Sequence, residues 1–190
     1  MKTRSKSKSS SKPQRAEYIM EESTLLHLME TELKEIYWAE KTLTKAIPKM
    51  IKKSTSEQLV EALDNHLEET ENQVRKVERV FEIIGKKVAA KKCEAISGLI
   101  REAEEIMNSS EEGAMRDAAI ISATQKIEHY EQATYGTLRT FAQTLGLDDA
   151  ATILNEILEE EKNADHSLTE IAESTINIEA ASEVEQDEEE

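Results

Sequence analysis

A chain of 190 residues with only 5 Gly, 2 Pro and 4% aromatic residues suits one domain with tails, and its many Ala, Leu, Ile, Glu and Lys residues indicate an all-α protein rather than a sheet protein. The excess of 40 Asp and Glu over 24 Lys and Arg, a formal net charge of −16, excludes a general nucleic-acid binder because the phosphate backbone repels a net anion. No apolar run approaches the roughly 18 residues needed to span a bilayer, and the start lacks the apolar stretch of a signal peptide, so a cytoplasmic protein without membrane contact is expected. Cys93 is the single cysteine, which rules out an intramolecular disulfide and fits a reducing compartment.

In chain order, residues 1–20 open on MKTRSKSKSSSKPQR, which is rich in Ser and Lys and is expected to be a disordered basic tail. It is the one segment that could touch nucleic acid. The first helical pattern runs from about Glu22 to Lys52 through Leu25, Met29, Leu33, Ile36, Leu43, Ile47 and Met50, with Pro48 expected to bend or shorten its end. The second is capped by Ser56 and runs through Leu59, Leu63, Val74, Val77 and Phe81 until Gly85 stops it. A short turn makes these two an antiparallel hairpin.

Residues 85–111 form a Lys-rich loop and then AISGLIREAEEIM, a shorter amphipathic helix. The third long pattern spans about Glu112 to Leu145 and ends at Gly146; the fourth is capped by Asp148 or Asp149 and carries Ile153, Leu154, Ile157, Leu158, Leu168 and Ile171. The two hairpins and the crossover give a ferritin-like, up-down-down-up four-helix bundle over residues 21–175, followed by a disordered acidic tail over 176–190.

Each apolar stripe is interrupted near its middle. Glu40 falls between Ile36 and Leu43; His66, Glu69 or Thr70, and Gln73 fall between Leu63 and Val77. Thr124, Glu128 and Glu131 precede Tyr135 and Leu138, and Glu161 and Asp165 separate Ile157 from Leu168. Counted from the hairpin turns, Glu40, Glu69, Glu131 and Glu161 all lie roughly 18–21 Å along their helices, close to one cross-section if the hairpins align. Buried carboxylates cost several kcal/mol each unless protonated, paired or metal-bound. Hard oxygen donors with one imidazole suit iron or manganese, with zinc or magnesium as substitutes.

ELKEIYWAEKTLTKAIPKM, NHLEETENQVRKVERVFE, RDAAIISATQKIEHYEQATYGTL and LEEEKNADHSLTEIA resemble, in order, the YciE/YciF family of ferritin-like, stress-associated bacterial proteins. The resemblance covers about residues 24 to 174. It implies a homodimer and a di-metal carboxylate site with two ions per chain, iron first and manganese second. It further implies a ferroxidase-like reaction of Fe(II) with oxygen or hydrogen peroxide. Carried over residue by residue, the ligands are Glu40, Glu69, Glu128, Glu131 and Glu161. In the wider rubrerythrin-like pattern Glu-x-x-His stands on the second and fourth helices. Here His66 precedes Glu69 by three, and Glu161 is followed by Ala164, Asp165 and His166, so His66 and Asp165 form a second tier of ligands.

The competing expectation is a non-catalytic helical stress protein that binds metal or a partner. His129 and His166 stand beside the stripes and are expected at the surface. Tyr37, Tyr130 and Tyr135 lie near the glutamate layer and are expected chiefly to pack there.

Overall fold

Five long helices account for most of the computed structural model, which describes residues 23–183. They are α1 (Thr24–Lys53), α2 (Glu57–Ile83), α3 (Glu94–Ser109), α4 (Ala114–Thr144) and α5 (Asp148–Ile171). One π-helical turn, Ala172–Ile176, leads into a last short helix, α6 (Asn177–Ala180). The basic tail and residues 184–190 lie outside the described residues.

The helix ends follow from local chemistry. Ser23 and Ser56 accept hydrogen bonds from Leu26 N and Leu59 N, giving two of the free N–H groups of α1 and α2 an acceptor. At the other ends Gly85 and Gly146 adopt φ of 67° and 71°, and Lys86 N and Leu147 N reach back to the carbonyls of Phe81 and Ala142. That closure needs a left-handed residue, which glycine adopts without a Cβ clash. Pro48 does not shorten α1, which continues to Lys53. Its ring faces solvent, where water can satisfy the carbonyl left without a donor.

α1 packs on α2, α4 on α5, α2 on α5 and α1 on α4, so the four long helices close a square, and α3 lies across α4. Direction is fixed by a buried carboxylate. Asp117, at the start of α4, accepts from Thr55 N at 2.9 Å, Thr55 Oγ1 at 2.6 Å and Ser56 N at 2.7 Å in the α1–α2 turn. The start of α4 therefore sits at the α1–α2 turn, α4 runs parallel to α2, and the crossover with α3 spans the bundle's length. Up-down-down-up is the observed order. The two hairpin turns lie at opposite ends, so the expected common layer arises because the polar interruptions fall near mid-helix, not because the turns align.

Leu33, Ile36, Val77, Phe81, Leu138, Leu154 and Ile157 fill one side of that layer; Met50, Leu59, Ile120 and Leu168 fill the other. α4 lacks a clean polar face because α1, α3 and α5 all cover it. The packed body reaches further than the expected boundary at residue 175, since Ile176 is buried and α6 ends at Ala180. Among the described residues no helix is long and apolar enough to cross a membrane.

Removing the Asp117 carboxylate strips three donors of their acceptor in a partly buried turn. Asp117→Ala should lower the stability of the metal-free protein by about 2–3 kcal/mol, read as a shift of the urea midpoint at constant slope. An unchanged midpoint would show that the turn is held by packing alone.

Candidate metal centre

Helical spacing delivers one polar layer from four helices. On α2, His66, Thr70 and Gln73 step by four and three, so all three point inward and are buried. On α4, Glu128, Glu131 and Tyr135 do the same; α1 supplies Glu40 and α5 supplies Glu161. Glu40, Glu128 and Glu161 have no solvent exposure and Glu131 has 1%. Four carboxylates thus face a single imidazole.

His66, Glu128 and Glu161 each offer a ligand atom within 4.8 Å of the others. His66 Nε2 lies 3.0 Å from Glu128 Oε1, an ion-pair approach without hydrogen-bond alignment, so both Glu128 oxygens lack a donor. Glu161 Oε1 accepts from Gln73 Nε2 at 2.5 Å, and Gln73 also reaches Glu160, which Lys76 neutralises. The Tyr135 phenol donates to Glu40 Oε1. Beyond these bonds, Glu40 Oε2, His66 Nδ1, Gln73 Oε1, both Glu128 oxygens, Glu131 Oε1 and Glu161 Oε2 are buried without a partner. Buried polar atoms rarely stay unpaired, and seven in one layer fit a cation site better than a finished hydrogen-bond network.

The electrostatics agree. Burial pushes the Glu40 carboxyl up to about 8 despite the Tyr135 hydrogen bond and the pull of His66. Burial and neighbouring carboxylates drive Glu131 and Glu161 well above the usual carboxylate range. Glu128 is the exception: burial acts to raise it, but the positive charge of the adjacent His66 holds it below its ordinary value. For His66, burial opposes the charge, yet Glu128 and Glu69 keep it protonated well above the ordinary imidazole range. Without metal the layer is one ion pair, His66 with Glu128, among carboxyls that retain protons near neutral pH. A cation must displace those protons, so its binding is proton-coupled.

Two expected ligands sit at the rim. The Glu69 side chain is 43% exposed, with Oε2 3.9 Å from His66 Nδ1. Asp165 is 21% exposed and is bound to Gln125 Nε2 at 3.0 Å and His129 Nε2 at 3.3 Å. His129 and His166 are exposed, as expected. Tyr135 does more than pack, since its hydroxyl orients Glu40, whereas Tyr37 donates to Glu78 and Tyr130 meets buried Cys93 at 3.1 Å. Gln73 is the site residue that stripe counting placed inward without assigning it a role; its i+4 partner Val77 and i−3 partner Thr70 carry that signal.

Fold and site together define a ferritin-like helical protein with a buried His/Glu metal-ligand group. The chain belongs to the family DUF892, which includes YciF: that family's model, described as a domain of unknown function, matches residues 24–181. The chain is 44% identical to Escherichia coli protein YciF over 160 residues, which is 84% of this chain and 94% of that one. The crystal structure of the E. coli stress protein YciF matches 82% of this chain and 98% of its own with a TM-score of 0.78. A Rhodopseudomonas palustris protein, YcfI, provisionally described as structural, is 42% identical over 77% of this chain and 94% of its own, with a TM-score of 0.74. A Xanthomonas campestris protein at 20% identity, covering 82% of this chain and 95% of its own with a TM-score of 0.65, shares the fold.

A carboxyl whose pKa is raised by folding binds protons that the unfolded chain has lost. The metal-free protein should therefore lose stability as pH rises from about 4.5 through 8 on account of Glu40, Glu131 and Glu161, and His66 loses its contribution in the same direction. Glu128, held low, acts only on the acid side, where its contribution disappears as pH falls. The urea midpoint should thus be lower at pH 8 than at pH 5.5, and Glu131→Gln should raise it at pH 8 and flatten the dependence. A midpoint that climbs with pH would contradict the protonated layer.

Proposed function

We propose that this chain is a di-metal carboxylate protein that oxidises Fe(II) with oxygen or hydrogen peroxide as part of stress defence. The observation that carries the reading is the set of unpartnered carboxylate oxygens converging on His66 from three other helices. Iron is the metal proposed first and manganese second, because oxygen donors outnumber nitrogen and no thiolate faces the layer.

In this reading His66, Glu128 and Glu161 would hold metal together, with Glu40 and Glu131 as the further carboxylates of the layer. Glu69 is a ligand at the rim, and Asp165 becomes one only by leaving Gln125 and His129. Bound iron supplies the one-electron chemistry that moves electrons from Fe(II) to the oxidant. The chain supplies the rest. Glu40, Glu131, Glu161 and His66 release their protons as ions enter. Both Glu128 oxygens are free of donors, so this carboxylate can change its mode of contact as the charge beside it changes. Tyr135 keeps its proton, being raised well above the ordinary phenol range by burial and Glu40, and holds Glu40 in place. Leucine and isoleucine layers above and below exclude bulk water. A homodimer belongs to the same reading, through the resemblance to the family.

A second reading drops the reaction: a non-catalytic helical stress protein that binds metal or a partner, in keeping with the provisional description of one relative as structural. Anaerobic Fe(II) titration followed by oxygen or peroxide separates the two. The ferroxidase reading expects saturation at about two ions per chain, consumption of oxidant and a new ferric absorption band. Glu131→Ala and Glu161→Ala should abolish all three while circular dichroism stays helical. Binding without oxidant consumption would select the metal-binding form of the second reading, and no stoichiometric binding would leave only its partner-binding form.

A further inference from the structure

The buried layer is closed on most sides. Tyr135 covers Glu40, Gln73 lies across Glu161 and Glu160 with Lys76 behind it, and Gln125 ties Asp165 and Thr169 between α4 and α5. The α2–α5 seam is different. There a cleft of about 150 Å³ has Asn65, His66, Glu69, Asn163 and Ser167 on its walls, over a floor that includes buried Leu63 and Leu168. Asn65 and Ser167 also line a neighbouring, wider cleft of about 390 Å³, which adds Glu61 and Glu170 further along the seam. Among the described residues neither cleft is lined by Lys or Arg.

His66 belongs to both spaces. Its Nε2 faces Glu128 inside the layer, while Nδ1 has no partner and lies 3.9 Å from the half-exposed Glu69 carboxylate. The His66 side chain is 6% exposed, so an unpaired nitrogen nine-tenths buried stands at the junction between cleft and chamber.

We propose that the α2–α5 cleft is the route by which divalent cations enter the buried layer, with Glu69 the carboxylate that passes them inward past His66. The inference rests on the metal-centre reading and names the access to it. A hydrated divalent ion loses water reluctantly, and a path must replace that water stepwise with oxygen donors. The acids Glu61 and Glu170 attract the ion, the Asn65 and Asn163 amides offer neutral oxygens, and Glu69 supplies a charge at the threshold. In the outer cleft the charged lining residues, Glu61 and Glu170, are both acids, which raises the local cation concentration and thereby the rate of entry. Glu69, held among the described residues by no other side chain than His66, is free to turn between cleft and chamber.

Co(II) binding to the metal-free, full-length protein, followed by its visible absorption in a stopped-flow instrument, tests this. Ala164→Leu narrows the cleft without altering an ionisable group. It should slow both uptake and removal by chelator by about tenfold or more, leaving the number of ions bound and the affinity unchanged. Glu69→Gln should slow uptake by about tenfold and weaken its dependence on ionic strength. Ala133→Leu, on the exposed side of α4, should bind at the wild-type rate. Should Ala164→Leu disturb the bundle, the smaller Ala164→Val takes its place, because Glu69 is itself counted among the ligands. Wild-type uptake rates in both cleft variants, or an Ala164→Leu affinity lost through faster removal with uptake unchanged, would overturn the route while leaving the metal centre standing. A wild-type protein that takes up no Co(II) would overturn the centre itself.

Discussion

Four carboxylates and one imidazole share a water-poor layer at the middle of the bundle, and the rest of the structure is arranged around that electrostatic problem. Charges in such a medium are costly to desolvate, and like charges cannot all remain ionised. Without metal the layer settles on a single ion pair and keeps protons on the other acids. A cation would exchange those protons for stronger contacts. The same residues therefore destabilise the metal-free fold and define an ion's place, a familiar opposition between stability and function.

The layer is tolerable because the bundle on both sides is ordinary. Apolar plugs above and below it bury enough side chains to hold four helices at fixed spacing, and the glycine-terminated ends of α2 and α4 keep each helix in register. Asp117 pins the start of α4 to the α1–α2 turn, so the levels of His66 and Glu128 are set together. Tyr135 and Gln73 then fix Glu40 and Glu161 as individual side chains. Rigidity of this kind matters more to a metal site than to a core, because ligands must converge before the ion arrives.

Much of this was legible in the sequence because helices write their inward face at intervals of three and four. Stripe positions alone locate Glu40, His66, Glu128, Glu131 and Glu161, all five of them buried. Counting failed where two neighbouring residues compete for one inward position. Thr70 takes the interior and turns Glu69, about 100° away, towards the α2–α5 cleft, and Asp165 likewise stands beside the inward position and finds Gln125 and His129. Asp117 carries no signal in the periodicity, because its partners, two backbone N–H groups and the Thr55 hydroxyl, belong to a turn about sixty residues earlier. The identity of a side chain's hydrogen-bond donors depends on tertiary approach, which periodicity does not encode. Pro48 shows the complementary case: a local rule against proline in a helix yields where the ring is exposed and disturbs no packing.

The claim on which the account turns is that cations meet the inward carboxylates. Anomalous diffraction at the iron edge, from crystals equilibrated anaerobically with Fe(II) near neutral pH, locates the ions directly. The account predicts peaks inside the bundle in contact with His66, Glu128 and Glu161, with the neighbouring density bounded by Glu40 and Glu131. Iron found only on the acidic surface, with the central layer free of anomalous signal, would contradict it.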